Sequence, residues 1–83
     1  MKLAKEMFKE LGYEYDYIKN KNSEDTITYH KDNLHIQFNL ISKLVILQND
    51  TSYMFYNSAT FMINHNLLKA INKQTEELGF EII

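Results

Sequence analysis

The run MINHNLLKAINKQTEELG, residues 62–79, decides the fold. Leu67, Ile71, Gln74 and Leu78 recur at i, i+4, i+7 and i+11, one stripe of an α-helix, and Leu68, Ala70 and Thr75 widen it. Lys69, Asn72, Lys73, Glu76 and Glu77 fall mostly outside that stripe. Asn64 stands at the N-cap position, where its amide oxygen accepts an orphan backbone N–H, so the helix is expected to start there. Gly79 followed by Phe80 is a stop signal: glycine takes the left-handed residue and the aromatic packs back on the last turn. The Lys69/Lys73 like-charge pair and the Lys73/Glu77 pair, in its less favourable order, are worth about a few tenths of a kcal/mol. A helix so weakly supported by its own surface must lay its stripe on something apolar.

The preceding residues supply that surface. Thr26 to His30 are β-branched and aromatic, and Lys31-Asp32-Asn33 has turn chemistry. Leu34, Ile36, Phe38 and Leu40 alternate with His35, Gln37 and Asn39, the pattern of a half-buried antiparallel strand. A bend near Ile41-Ser42 leads into Lys43-Leu44-Val45-Ile46-Leu47-Gln48, which is apolar on both faces and is therefore expected at the centre of the sheet, covered on both sides. Asn49 to Ser52 closes it as a turn. Tyr53 to Ile63 has strand composition interrupted by Asn57-Ser58-Ala59, either one bulged strand or two short ones, with a fourth strand expected to end at Ile63.

At the other end, Leu3, Met7, Phe8 and Leu11 form one stripe of a short helix over Lys2 to Leu11, which Gly12 stops. About ten residues make a marginal helix, so this one too must dock. Tyr13-Glu14-Tyr15-Asp16-Tyr17 alternates strictly, placing three rings on one face of an extended chain and both carboxylates on the other. It is either a strand or an extended arm, and Asn20 to Asp25 follows as a polar loop. The phrases Glu-Leu-Gly-Tyr-Glu at 10–14 and Glu-Leu-Gly-Phe-Glu at 77–81 are alike because both end helices, not because a unit is duplicated.

Composition limits the function. Eighty-three residues without cysteine exclude disulfides and thiolate metal sites and are read as one α+β domain, 1–83. A chain of this size buries little more than ~60% of its unfolded surface. No segment approaches the ~18 consecutive apolar residues of a membrane span. Charges interrupt Met1-Lys2-Leu3-Ala4-Lys5-Glu6 where a signal peptide would be apolar, so an intracellular protein is expected. All nine basic residues are lysine and the net charge is −2. The bidentate arginine fork and the basic patch of a duplex binder are both missing.

Glu10-Leu11-Gly12-Tyr13, Tyr29-His30-Lys31, and Leu68-Lys69-Ala70-Ile71-Asn72-Lys73-Gln74 followed by Glu77-Leu78-Gly79 resemble, taken together, a loose group of small proteins of unknown function from phages and prophages of low-GC Gram-positive bacteria. The resemblance runs nearly the length of the chain. The chain departs from it at Asn64-His65-Asn66-Leu67, where the group is more acidic, and at Phe80, where tryptophan is common. The resemblance implies a cytoplasmic mobile-element protein with no established activity. Small phage proteins of this kind often bind host proteins, defence nucleases among them.

No catalytic site assembles from the sequence. Ser23, Ser42, Ser52 and Ser58 lie in turn contexts without a nucleophile elbow, and neither glycine belongs to a phosphate loop. His30 and His35, brought together by a hairpin, would need Asp32 or His65 to complete a metal site, and no local metal motif is present. No cofactor or metal is expected, and the chain is not expected to be an enzyme. What remains is a surplus of aromatic rings, five Phe and six Tyr. Their rings either cap the edges of the core with hydroxyls in water or form a contact surface.

The expectation is therefore an α+β fold: a short N-terminal helix, an antiparallel sheet of three to four strands, and a C-terminal helix packed on one face. Its expected function is a non-catalytic phage or prophage protein-binding module, acting as an inhibitor of a host defence protein such as a CRISPR nuclease. The candidate partner-binding residues are Tyr15, Tyr17, Tyr53, Tyr56, Glu24 and Asp25. In a variant of this reading, Glu14, Asp16, Glu24, Asp25 and Asp32 imitate a phosphate backbone. The alternatives are a structural accessory protein that forms a homodimer or larger homo-oligomer, and a single-stranded nucleic-acid binder using tyrosine stacking.

Overall fold

The structure, a computed structural model, describes residues 2–49 and 61–80. Asn64 caps the C-terminal helix as expected: its Oδ1 accepts the Leu67 N–H at 2.8 Å, and helix α2 runs from His65–Glu77. Helix α1 spans Ala4–Glu10. Between them lie four strands, β1 (Glu14–Ile18), β2 (Thr26–Lys31), β3 (Leu34–Asn39) and β4 (Val45–Asn49). Each pairs antiparallel with the next, giving the order β1-β2-β3-β4. The Tyr13–Tyr17 alternation is thus a strand, in continuous register with β2 from Glu14↔His30 to Ile18↔Thr26.

Both helices end in the same motif. Gly12 N–H donates to Lys9 O and Tyr13 N–H to Phe8 O, each at 3.0 Å; Gly79 N–H and Phe80 N–H repeat the pattern onto Glu76 O and Thr75 O. The glycines have φ of 90° and 72°, backbone that side chains with a Cβ adopt only at a cost. At the first stop, Tyr13 packs edge-on against Phe8, with ring centroids 5.8 Å apart.

Period-two alternation sends Ile27, Tyr29, Ile36 and Phe38 to one face of the sheet, where both helices cover them. Phe8 of α1 stacks on Tyr29 at 3.8 Å, and Phe38 meets both rings edge-on. Leu67, Ala70 and Ile71 of α2 complete the core. A buried polar link joins Gln74 to the sheet: the Tyr29 hydroxyl donates to Gln74 Oε1 at 2.5 Å, with the two residues 1% and 5% exposed. A glutamine in an otherwise apolar stripe is explained by this bond.

The N-terminus of α1 is capped from a distance. Leu3, at the N-cap, has no side chain to accept a bond, and the Glu77 carboxylate of α2 accepts the Ala4 N–H at 2.7 Å. The two helices consequently run antiparallel, with the end of one against the start of the other. Leu3 itself is exposed and Ala4 takes the buried place that its stripe position suggested for Leu3.

Two expectations about the strands are corrected. Residues 43–48 do not form a central strand: β4 pairs with β3 at the end of the described sheet, and Ile46 and Leu47, on opposite faces, are both exposed. Successive short connections force each strand beside its predecessor, so connectivity makes β2 and β3 the interior pair whatever the apolar content of β4. The strand expected to end at Ile63 is not present over 61–63, which lead without strand structure into the Asn64 cap. Tyr53 to Thr60, the rest of that segment, lie outside the described residues.

Candidate functional site

Strand β1 and the loop after it position four of the six candidate residues. Tyr15 is half-buried on the helix-covered face, 5.5 Å from Tyr29 between centroids, with Lys5 Nζ 4.3 Å above its ring. Tyr17, two residues on, is exposed, and its hydroxyl donates to Asp25 Oδ2 at 3.1 Å. That bond to a carboxylate holds the Tyr17 proton more tightly than usual. Asp25 also accepts the Asn20 N–H through Oδ1 at 3.1 Å, closing the loop between β1 and β2. Tyr53 and Tyr56 lie outside the described residues.

Glu24 secures the β3–β4 connection. Its Oε1 accepts the Ile41 N–H at 2.9 Å, the Ser42 N–H at 2.8 Å and the Ser42 hydroxyl at 3.0 Å. The Ser42 bonds chiefly, with that from Ile41, hold the carboxyl below the ordinary carboxylate range. The connection needs such an anchor because Lys43 occupies the left-handed region, with φ 60°. Glu24 and Asp25 are therefore brought together with Tyr17 as parts of two loop anchors, and Tyr15, on the same face of β1 as Tyr17, packs against Tyr29 instead.

The histidines meet differently from the expected arrangement. His30 and His35 are direct cross-strand partners with ring centroids 6.2 Å apart. The acids beside them come from β1, not from Asp32 or His65: His30 Nε2 lies 2.8 Å from Asp16 Oδ2 and 3.8 Å from Glu14 Oε2. Among the described residues no group of three or more His, Asp or Glu side chains is arranged to hold a metal ion. On the same face Thr28 Oγ1 is buried and finds no hydrogen-bond partner among the described residues.

Of the four described tyrosines, Tyr13 and Tyr29 are buried and Tyr15 is half-buried, leaving Tyr17 as the one well-exposed ring. They do not form the row of platforms on which successive bases would stack. The feature that sequence reasoning missed lies at the opposite margin of the sheet. Ile41, Leu44, Ile46 and Leu47 are 77%, 54%, 40% and 38% exposed, a run of large apolar side chains over the β3–β4 connection and β4. The signal for it was the apolar run itself, read together with the short connections that place the last of successive strands at an edge. A second feature is a shallow groove of about 280 Å³ along β1, floored by Tyr13 and Tyr15 and flanked by Lys5, Lys9 and Glu14. No described helix is long and apolar enough to cross a membrane. No protein-family model, curated protein or solved structure matches the chain.

Proposed function

We propose that this chain is a non-catalytic protein-binding module that acts stoichiometrically on a host protein. The observation that supports it best is the exposed apolar margin Ile41, Leu44, Ile46 and Leu47. Large apolar side chains gathered at one margin of a small domain favour association, and contact with a partner removes them from water. The resemblance to small phage and prophage proteins directs the reading further, to a cytoplasmic inhibitor of a host defence protein such as a CRISPR nuclease. Tyr17, beside Ile18 on the opposite edge, is the exposed aromatic that this reading also places in contact.

The test compares the wild-type chain with a Leu44→Lys/Ile46→Lys variant in affinity capture from host lysate during infection. Both substituted positions are exposed, so the variant is expected to fold, with an unchanged far-ultraviolet circular dichroism spectrum. The expected result is one host protein captured by the wild type and lost from the variant, whose activity the wild type inhibits at equimolar ratio. Equal capture by both proteins, or no specific partner together with a normal infection phenotype for the deletion, refutes the reading. The same margin favours a second reading, a homodimer in which two copies cover each other's β4. Light scattering at increasing concentration separates the two, because self-association gives a mass that rises in the wild type and not in the lysine variant.

A further inference from the structure

We infer that the outer edge of β1, which no described strand pairs with, is a docking site for an extended segment of a partner protein in which cationic residues alternate with apolar ones. The inference extends the protein-binding reading to a second surface and to the chemistry of the occupant.

The phase of the hydrogen-bond ladder fixes which backbone groups of β1 are unpaired within the described sheet. The two-residue turn Asp32-Asn33, with Asp32 at φ 53°, joins β2 to β3 so that Lys31 and Leu34 are the closing pair. A two-residue hairpin hydrogen-bonds its closing pair, and bonded and non-bonded pairs then alternate along the ladder. Lys31, Tyr29 and Ile27 therefore turn their backbone groups toward β3, and His30, Thr28 and Thr26 turn theirs toward β1. Two bonds beyond the strands confirm the phase: Leu40 N–H donates to Asp25 O, on the β2 side, and Asn39 N–H donates to Leu44 O, on the β4 side. In β1, Glu14, Asp16 and Ile18 consequently bond to β2 through their pairing with His30, Thr28 and Thr26. The N–H and C=O groups of Tyr15 and Tyr17 point outward, away from the sheet.

An added antiparallel strand would bond to those four groups and set its own side chains alternately on the two faces. On the face away from the helices it meets Glu14 and Asp16, whose side chains are 81% and 60% exposed. On the helix side it meets the rings of Tyr15 and Tyr17 and the groove floored by Tyr13 and Tyr15. Lysine or arginine suits the first set of positions and an apolar side chain the second.

A second copy of β1 fits poorly. Antiparallel self-pairing centred on Asp16 sets that carboxylate against its own copy, and centring on Tyr15 sets Glu14 against Asp16; like charges directly opposite are destabilising. Centring on Tyr17 places Ile18 against Asp16 and leaves both acids without a cation. The acids that keep copies apart are thus the feature that admits a cationic strand.

The probe is a synthetic heptapeptide, Thr-Lys-Val-Lys-Val-Lys-Thr, titrated into the full chain and followed by amide NMR and hydrogen exchange. Expected are saturable shifts along β1 and new protection of the Tyr15 and Tyr17 amides. Replacing the lysines with glutamate should weaken binding by about two- to thirtyfold or more, since each of the two cross-strand charge pairs contributes ~0.2–1 kcal/mol. The variant Glu14→Lys/Asp16→Lys should reverse the preference toward the glutamate peptide. Tyr17→Pro removes one outward N–H without breaking the ladder to β2, and should abolish protection at Tyr15. Equal binding of the glutamate peptide, or shifts confined to residues outside β1, overturns the inference. Capture of a host protein through Leu44 and Ile46 would stand regardless, so the two proposals fail separately.

Discussion

Tyr29→Phe isolates the buried link between the sheet and α2. The substitution keeps the ring, and with it the stacking on Phe8 and the edge contact with Phe38, and removes only the hydroxyl that donates to Gln74. The lost hydrogen bond is worth ~1 kcal/mol net, and leaving the 5%-exposed Gln74 without its donor adds a desolvation cost of order 1–3 kcal/mol. A loss of about 2 kcal/mol is expected, a drop in melting temperature on the order of 10 °C for a domain of this length. Gln74→Met alone should cost a similar amount, because it strands the Tyr29 hydroxyl. The double variant should recover much of the loss, since two apolar groups leave nothing unpaired, with a coupling of about 1–2 kcal/mol in urea denaturation. Burial first, then the charges of Tyr15 and Glu77, hold the Tyr29 proton well above the ordinary tyrosine range. Above a pH of about 10 the unfolded chain releases that proton while the folded chain keeps it, so stability falls as pH rises. The fall should be shallower in Tyr29→Phe. A single-variant cost below about 0.5 kcal/mol, or strict additivity of the two substitutions, would refute the assignment of this bond as the polar anchor of the core.

Glu24 is held ionised by its bonds to Ser42 and Ile41, so its contribution is present above the ordinary carboxylate range and is lost as pH falls through its depressed value. Glu24→Gln should therefore flatten acid unfolding and speed exchange of the Ile41 and Ser42 amides. Glu77→Ala should uncap α1 and cost about 1 kcal/mol, with accelerated exchange at Ala4 to Met7 and little change in the central strands. Thr28→Val replaces an unpartnered buried hydroxyl by a methyl group of similar size, and should raise stability by about 1 kcal/mol in thermal denaturation.

What was legible in the sequence was local. The Asn64 cap, both glycine stops and the period-two alternation of β3 each depend on a few neighbouring residues, and each is found as read. The place of β4 depended on connectivity, and its apolar composition pointed the wrong way. The long-range partners were invisible for another reason: nothing near Glu77 or Glu24 in the chain marks them as ligands of backbone groups in distant segments. Gln74 was readable only as a polar residue inside an apolar stripe, a sign that a donor waits across the core. For the candidate site, the alternation of Tyr15 and Tyr17 with Glu14 and Asp16 placed rings and acids on opposite faces correctly. Which backbone groups of β1 point outward needed the phase of a turn two strands away.

The bond from Ala4 to Glu77 joins positions 73 residues apart. A seven-residue helix has too few internal hydrogen bonds to persist alone. During synthesis the opening segment thus leaves the ribosome long before the carboxylate that secures it has been made. β2, β3 and β4 can pair as they emerge, and α1 settles only after α2 arrives. A chain cut just ahead of Glu77 keeps Leu67, Ala70, Ile71 and Gln74 in the core, so it should retain the sheet and α2 while the amides of α1 exchange faster.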